Sequence, residues 1–403
     1  MNRILSGLRV VESSAFIAAP YAGMTLAQMG ADVISVDQIG GGLDYRRWPV
    51  TDKGSSLYWA GLNKGKRSVC IDFRKPEGRA LLGDLIAAPG EGGGIFLTNL
   101  PAQPPLDYDT LRGRRPDLIM ASIYGSRDGA TAVDYTVNAA VGFPLVTGPA
   151  GHDGPINHVL PAWDLLAGTN AAVAILAAER HRRLTGSGQL LRLALADIAF
   201  ATVGNLGYIA EVQVNGADRP RLGNDVYGTF GRDFLTADGR RVMVVAFTQK
   251  QWDALLDATG TRASIAALEK KSKRDFRKET DRYECSREIA AVLQPWFHRT
   301  SFADVRAALD TRGACWGPYQ SFREMVESDQ RCSTANPIFT EADQPGIGRH
   351  LMPGCPVDYG AFERQPAVPA PQLGADTDEV LSTVLGLDAH HIARLHDRGI
   401  IGT

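Results

Sequence analysis

The chain has 403 residues, 44% hydrophobic and 22% charged, which is enough for two or three domains with large cores and rules out wholesale disorder. With 43 Lys and Arg against 45 Asp and Glu the net charge is −2, so there is no excess of cations to bind nucleic acid.

Strand and helix signals alternate over the first 125 residues. Strands are predicted at Leu8–Val11, Ala31–Asp37, Ser68–Asp72, Gly94–Thr98 and Leu118–Ile123. Helices are predicted over Pro20–Met29 and from Pro76-Glu77, where proline fits a first helical turn. Strands separated by helices predict an α/β fold with a parallel sheet covered on both faces. A long helix is predicted from Pro161 to about Arg183, stopped by Gly186 and Gly188. It carries Asp164 in its first turn and Arg180 to Arg183 in its last, matching the helix dipole. Its middle holds Ala167, Gly168, Ala171, Ala172, Ala174, Ala177 and Ala178, so close approach of a neighbouring backbone is expected. Residues 232–246 read as a hairpin turning at Asp238-Gly239, and residues 250–310 as a small helical subdomain. Lys270 to Lys278 holds six Lys or Arg among nine residues, read as a solvated helix face with an anion-binding patch as the alternative. The last 60 residues read as an extended wrapping segment with a short helix over Thr377–Leu385. The domain plan is therefore 1–215 for a large domain, 216–330 for a small one, and 331–403 returning to the first.

No stretch supplies the 20 or so uninterrupted apolar residues of a membrane span; Leu190 to Val214 is broken by Arg192, Asp197, Asn205 and Glu211. Met1 to Ala19 lacks the layout of a secretory signal, and the five cysteines include no Cys-x-x-Cys pair. A reduced, cytoplasmic protein is expected, without a disulfide framework or metal site.

Gly40-Gly41-Gly42 follows a strand and reads either as a flexible turn or as a phosphate cradle, although Gly-x-Gly-x-x-Gly spacing is missing. Arg46 and Arg47 lie between Tyr45 and Trp48, a setting for an anionic substrate or for an ordinary salt bridge. Asn63 to Arg67 (NKGKR) reads as a phosphate contact or a solvated loop. Asp164 answers the helix dipole, yet it stands between Trp163 and an Ala/Gly face, where a partly desolvated carboxylate has the character of a nucleophile.

Several segments now coincide in order: Val10-Val11-Glu12, Ala19-Pro20, Leu26 to Ile34 (LAQMGADVI), Asn63 to Ser68 with Asp72, Thr98-Asn99, Asp164, and Arg183 to Gln189 (RLTGSGQ). In this order, over nearly the whole chain, the sequence resembles the family III CoA-transferases (CaiB/BaiF-like). The resemblance implies a Rossmann-like large domain, a smaller α+β domain and an interlocked homodimer. It places Asp164 at the catalytic aspartate. It maps CoA contacts onto Ile17, Ala18, Gln38, Ile71, Asp72, Phe73, Arg74, Asn99, Leu100, Pro101, Tyr124, Gly125 and Arg127. Where intermolecular members carry Gln and Arg, this chain has Ile17 and Gln38, leaving Arg74, Lys75 or Arg127 to meet phosphate. Val133 stands where the racemase branch has its basic His, which argues against a racemase.

The implied activity is CoA transfer between the C1 and C4 carboxylates of mesaconate within one molecule, through an aspartyl–CoA thioester. Arg46 or Arg47 would hold the free carboxylate. An intermolecular CoA-transferase using succinate, mesaconate or citramalate is the alternative. Coenzyme A enters as part of the acyl-CoA substrate; no permanently bound cofactor and no metal are implied.

Overall fold

The computed structural model describes residues 4–402. They form two compact units, one built from residues up to Val141, Val159–Val214 and Gln330 onward, the other from Gly142–His158 and Asn215–Asp329.

The first unit holds a seven-stranded sheet. Its strands are β1 (Arg9–Ser13), β2 (Asp32–Asp37), β3 (Arg67–Ile71), β4 (Ile95–Thr98), β5 (Ile119–Tyr124), β6 (Gln189–Ala194) and the short terminal strand Ile401–Gly402. In space the order is Ile401–Gly402, β3, β2, β1, β4, β5, β6. Neighbours among β1–β6 run parallel, and the terminal strand runs antiparallel to β3. Parallel strands covered on both faces are near-continuous apolar runs, and β4 (IFLT) is buried throughout. The core joins Val11, Ile34, Val69, Leu85 and Phe96 to Val380 and Leu395 from the other end of the chain.

Helix α1 (Ala18–Gln28) follows β1, α2 (Leu57–Leu62) precedes β3, and α3 (Pro76–Ala87) has Pro76 and Glu77 in its first turn, as expected. The long helix spans Ala162–Thr185 and ends at Gly186, which is left-handed at φ 75°. Its small-residue face meets α1: a methyl on Gly168 would stand 2.6 Å from the Ala18 carbonyl oxygen. In the last 60 residues the helix over Thr377–Leu385 stands where the sequence placed it, but the segment is less extended than expected. These residues contain the end of an antiparallel hairpin (Phe339–Gln344 with Gly348–Pro353), two helices (Thr377–Leu385 and Ala389–Asp397) and the seventh strand. The strand β6, inside the longest apolar stretch, was likewise unmarked, because its run continues without a break into the helix Leu195–Asn205.

The second unit pairs the strands Phe230–Leu235, Arg241–Ala246 and Cys315–Pro318, all antiparallel. The first two flank a turn with Gly239 at φ 77°. Helices between Gln249 and Arg312 pack on them around Phe230, Trp252, Leu255, Ile289 and Phe297. The basic run leaves the helix Arg262–Ser272 through left-handed Lys273. Arg274 pairs with Asp281 and Glu284, and Arg277 with Asp275, so two of its six cations are answered locally. Among the described residues no single helix is long and apolar enough to cross a membrane.

Candidate active site

The chain runs out from β1 to β2 on one side, and β4 takes the place on the other side of β1. Where strand order reverses in this way, loops leaving the carboxyl ends of neighbouring strands diverge and open a crevice. The expected CoA contacts gather on that edge. Ile17 and Ala18 follow β1, Gln38 follows β2, Ile71 to Arg74 end and follow β3, Asn99 to Pro101 follow β4, and Tyr124, Gly125 and Arg127 end and follow β5.

Their side chains are not all free to meet a ligand. Asn99 is spent on the backbone of Ala15: its Oδ1 accepts from the Ala15 N–H at 2.9 Å and its amide donates to the Ala15 carbonyl at 2.7 Å. Arg74 donates to Asp72 at 2.9 Å and Arg127 pairs with Asp197 at 2.6 Å, with both arginines exposed. The Gln38 Oε1 is buried without a hydrogen bond.

Asp164 sits in the first turn of the long helix, half-buried. The residue before the helix is Pro161, whose side chain caps nothing. The cap comes instead from Asp134, on the helix Asp134–Ala140, whose Oδ2 accepts from the N–H of Trp163 at 2.7 Å and of Asp164 at 3.1 Å. Two orphan amides are thereby satisfied by a distant carboxylate. The Trp163 indole donates to Asn138 at 3.2 Å and fixes the same turn. Burial, with the like charge of Asp134, pushes the Asp164 carboxyl up to about 6, while Arg47 pulls it down.

The structure separates the two adjacent arginines. Arg46 lines a cavity of about 440 Å³ with Tyr45, Trp59 and Gln344. Arg47 lies over the rings of Phe16, 5.5 Å away, and Tyr58, 5.4 Å away. Among the described residues neither arginine lies over the ring of Tyr45 or Trp48: Tyr45 packs edge-on against Trp59, and Trp48 is 77% exposed. Arg47 is in none of the ion pairs among the described residues. Tyr58 has its hydroxyl buried without a well-formed hydrogen bond. Burial raises it out of the titrating range, and Arg47 acts in the opposite sense.

Two motifs are structural. NKGKR is neither solvated nor aimed at a phosphate: Lys66 donates to Glu12 at 2.8 Å and to Asn63 at 2.9 Å in full burial, Lys64 to the Pro353 carbonyl at 2.9 Å, and Arg67 pairs with Asp32 at 2.6 Å. The triple glycine is a turn. Gly40 and Gly41 have φ of 83° and 98°, and a methyl on Gly41 would overlap the Tyr45 ring. The turn sends Asp44 inward, where its Oδ2 accepts from the Phe16 N–H at 3.0 Å. Phe16 itself is left-handed, at φ 67°. Asp134, Asp44, Phe16 and Tyr58 were not singled out from the sequence.

Residues 5–377 match the model of CoA-transferase family III. The chain is 55% identical over 402 residues to 2-methylfumaryl-CoA isomerase of Chloroflexus aurantiacus, covering 100% of this chain and 98% of that one. It is 32% identical over 399 residues to succinate–glutarate CoA-transferase of Agrobacterium fabrum, covering 94% and 95%. Among solved structures, a CAIB/BAIF family protein from Brucella suis superposes with a TM-score of 0.77 at 25% identity, over 95% of this chain and 100% of that one. The chain is a member of CoA-transferase family III.

Proposed function

We propose that the protein moves CoA between the C1 and C4 carboxylates of mesaconate within one molecule, converting 2-methylfumaryl-CoA to 3-methylfumaryl-CoA. The observation that carries this reading is the 55% identity, end to end, to an isomerase of that name. The chemistry rests on Asp164, which with a carboxyl near 6 is ionised about ten to one at pH 7 and still half-buried. Its carboxylate attacks the thioester carbonyl, the C–S bond breaks, and a mixed anhydride and CoA thiolate result. The thiolate attacks the aspartyl carbonyl of the anhydride, giving an Asp164–CoA thioester and the free dicarboxylate. The dicarboxylate's other carboxylate attacks that thioester, expelling thiolate, and thiolate attack on the new acyl carbonyl restores Asp164. One thioester replaces another, so no net proton or external energy source is required. CoA lies along the carboxyl edge of β1–β5, against Ile17, Ala18, Gln38, Ile71 to Arg74, Asn99 to Pro101, Tyr124, Gly125 and Arg127. Arg47, rather than Arg46, holds the carboxylate not joined to CoA, because its charge is the one felt at Asp164.

The working form in this reading is an interlocked homodimer. The exposed Phe200, Leu206, Ile209 and Val212 on and around the helices Leu195–Asn205 and Tyr208–Asn215 support burial against a second copy. Light scattering at micromolar concentration should give twice the chain mass; a monomer overturns this part.

Intermolecular transfer to a free dicarboxylic acid is the second reading, favoured by the likeness to a succinate–glutarate transferase. Incubating pure protein with 2-methylfumaryl-CoA and no added acid separates the two. Appearance of the C4 thioester by chromatography supports the intramolecular reading. Conversion only after a free acid is added replaces it with the second, and no conversion in either case removes both.

A further inference from the structure

Phe16 is an aromatic residue in a backbone conformation that favours glycine, at φ 67°. Core packing does not account for it, since Phe16 is 41% exposed. The backbone around it is fixed from two sides. Asn99 holds both polar groups of Ala15, and Asp44, itself 3% exposed, accepts from the Phe16 N–H at 3.0 Å. Asp44 belongs to the loop that carries Arg47, and its carbonyl accepts from the Arg47 N–H at 3.0 Å. One residue thus ties the strained turn after β1 to the backbone bearing the guanidinium. That guanidinium has the Phe16 ring 5.5 Å away and the Tyr58 ring 5.4 Å away, within cation–π range of both.

We infer that Asp44 and Phe16 form a latch that fixes Arg47 and keeps the free dicarboxylate in the site between the two halves of the reaction, making transfer intramolecular. The inference rests on the intramolecular reading and on Arg47 as the carboxylate contact. While CoA is on Asp164, the acid has no covalent tie to the protein. Whether it turns and attacks or diffuses away depends on how firmly its carboxylate is held. A guanidinium pinned by aromatic rings has lost little further freedom when a carboxylate arrives, so it holds that group more tightly than a mobile arginine. Glycine would adopt the Phe16 backbone without strain, so an aromatic side chain at this position marks a use for the ring. Asp44 and Phe16 act through Arg47 and are positioning residues.

The test supplies 2-methylfumaryl-CoA together with ¹³C-labelled free mesaconate and follows, by mass spectrometry, labelled thioester formed per isomerisation event. Wild type should isomerise with little label entering. Phe16→Gly, which keeps the backbone geometry and deletes the ring, should raise label per event about two- to fivefold, the worth of a partly exposed cation–π contact. Asp44→Ala should do the same, and Asp44→Asn, which keeps an acceptor for the Phe16 N–H, should restore retention. A merely structural role would lower isomerisation without changing label per event; that result in Phe16→Gly overturns the latch, whether or not Asp44→Ala folds. A wild type that does not isomerise without added acid sinks the intramolecular reading instead, and is seen in the control before any variant is compared.

Discussion

Asp164 carries a carboxyl pulled in two directions, upward by burial and by Asp134 and downward by Arg47. The attacking form is the carboxylate, so the group works above its own pKa of about 6. As pH falls through 6 the nucleophile is protonated, and kcat/KM should drop about tenfold for each further unit of pH. Asp164→Asn, nearly isosteric, should keep the fold and lose transfer by about 10³-fold or more, read as C4 thioester formed by a preparation free of host enzyme. Activity near wild type in that variant removes Asp164 from the mechanism. The sequence singled out Asp164 because its signal is local, an acid in a first helical turn beside tryptophan and a run of small residues. Asp134 gave no comparable signal, since it caps a helix that begins 28 residues later, and the pairing exists only after folding. Which of Arg46 and Arg47 has its charge felt at Asp164 was equally hidden. Adjacent residues in a loop diverge according to its turns, and those follow from Gly40 and Gly41.

The long helix ties these residues to the sheet. Its approach to α1 is set by Gly168, where an added methyl would meet backbone, the Ala18 carbonyl, at 2.6 Å. A backbone atom yields less than a side chain, so Gly168→Ala should destabilise the protein by about 1–3 kcal/mol in denaturant unfolding. An unchanged midpoint would show that the two helices separate easily. At the other end of the same turn, Asp134→Ala removes the cap, at a cost of about 1 kcal/mol. It also removes a like charge and frees two amides beside Asp164, both of which favour the carboxylate. The acid limb of the pH–rate profile should therefore move below 6, and an unmoved limb with lost stability would leave Asp134 a purely structural cap. Charged ends that match the dipole, a small-residue middle and glycine stops marked this helix well, because all of these signals lie within one stretch of 24 residues. The two-residue terminal strand carries none, and its place beside β3 is set by Ile401 and Gly402 pairing with Ile71 and Cys70. NKGKR was misread for a related reason. Its lysines look solvated in sequence, but Lys66 meets Glu12, 54 residues earlier, inside the core.

At the scale of the molecule, the first unit is closed by both ends of the chain and buries more acid than base behind its carboxyl edge. Glu12, Asp37 and Asp44 are each 5% exposed or less, and Lys66 is the cation among them. A methyl on Gly23 would overlap the Glu12 carboxylate, so α1 itself leaves the room this charge occupies. The Lys66–Glu12 bond answers one acid; Asp37 has a carboxylate oxygen with no hydrogen bond. Burial first, then the like charges of Asp44 and Glu12, push the Asp37 carboxyl up to about 7. In the unfolded chain the same group returns to the usual carboxylate range near 4. Between those values the folded protein holds a proton that the unfolded chain has lost. The stability tied to Asp37 is thus fully present below pH 4, falls as pH rises, and is gone above about 7. Asp37→Asn ends this titration. It should raise stability by about 1–3 kcal/mol at pH 8, where wild type buries the charge, and change it little at pH 4, where wild type is already neutral. Thermal melts of both proteins at the two pH values give the comparison, and an equal shift at both would place the pH dependence of the fold elsewhere.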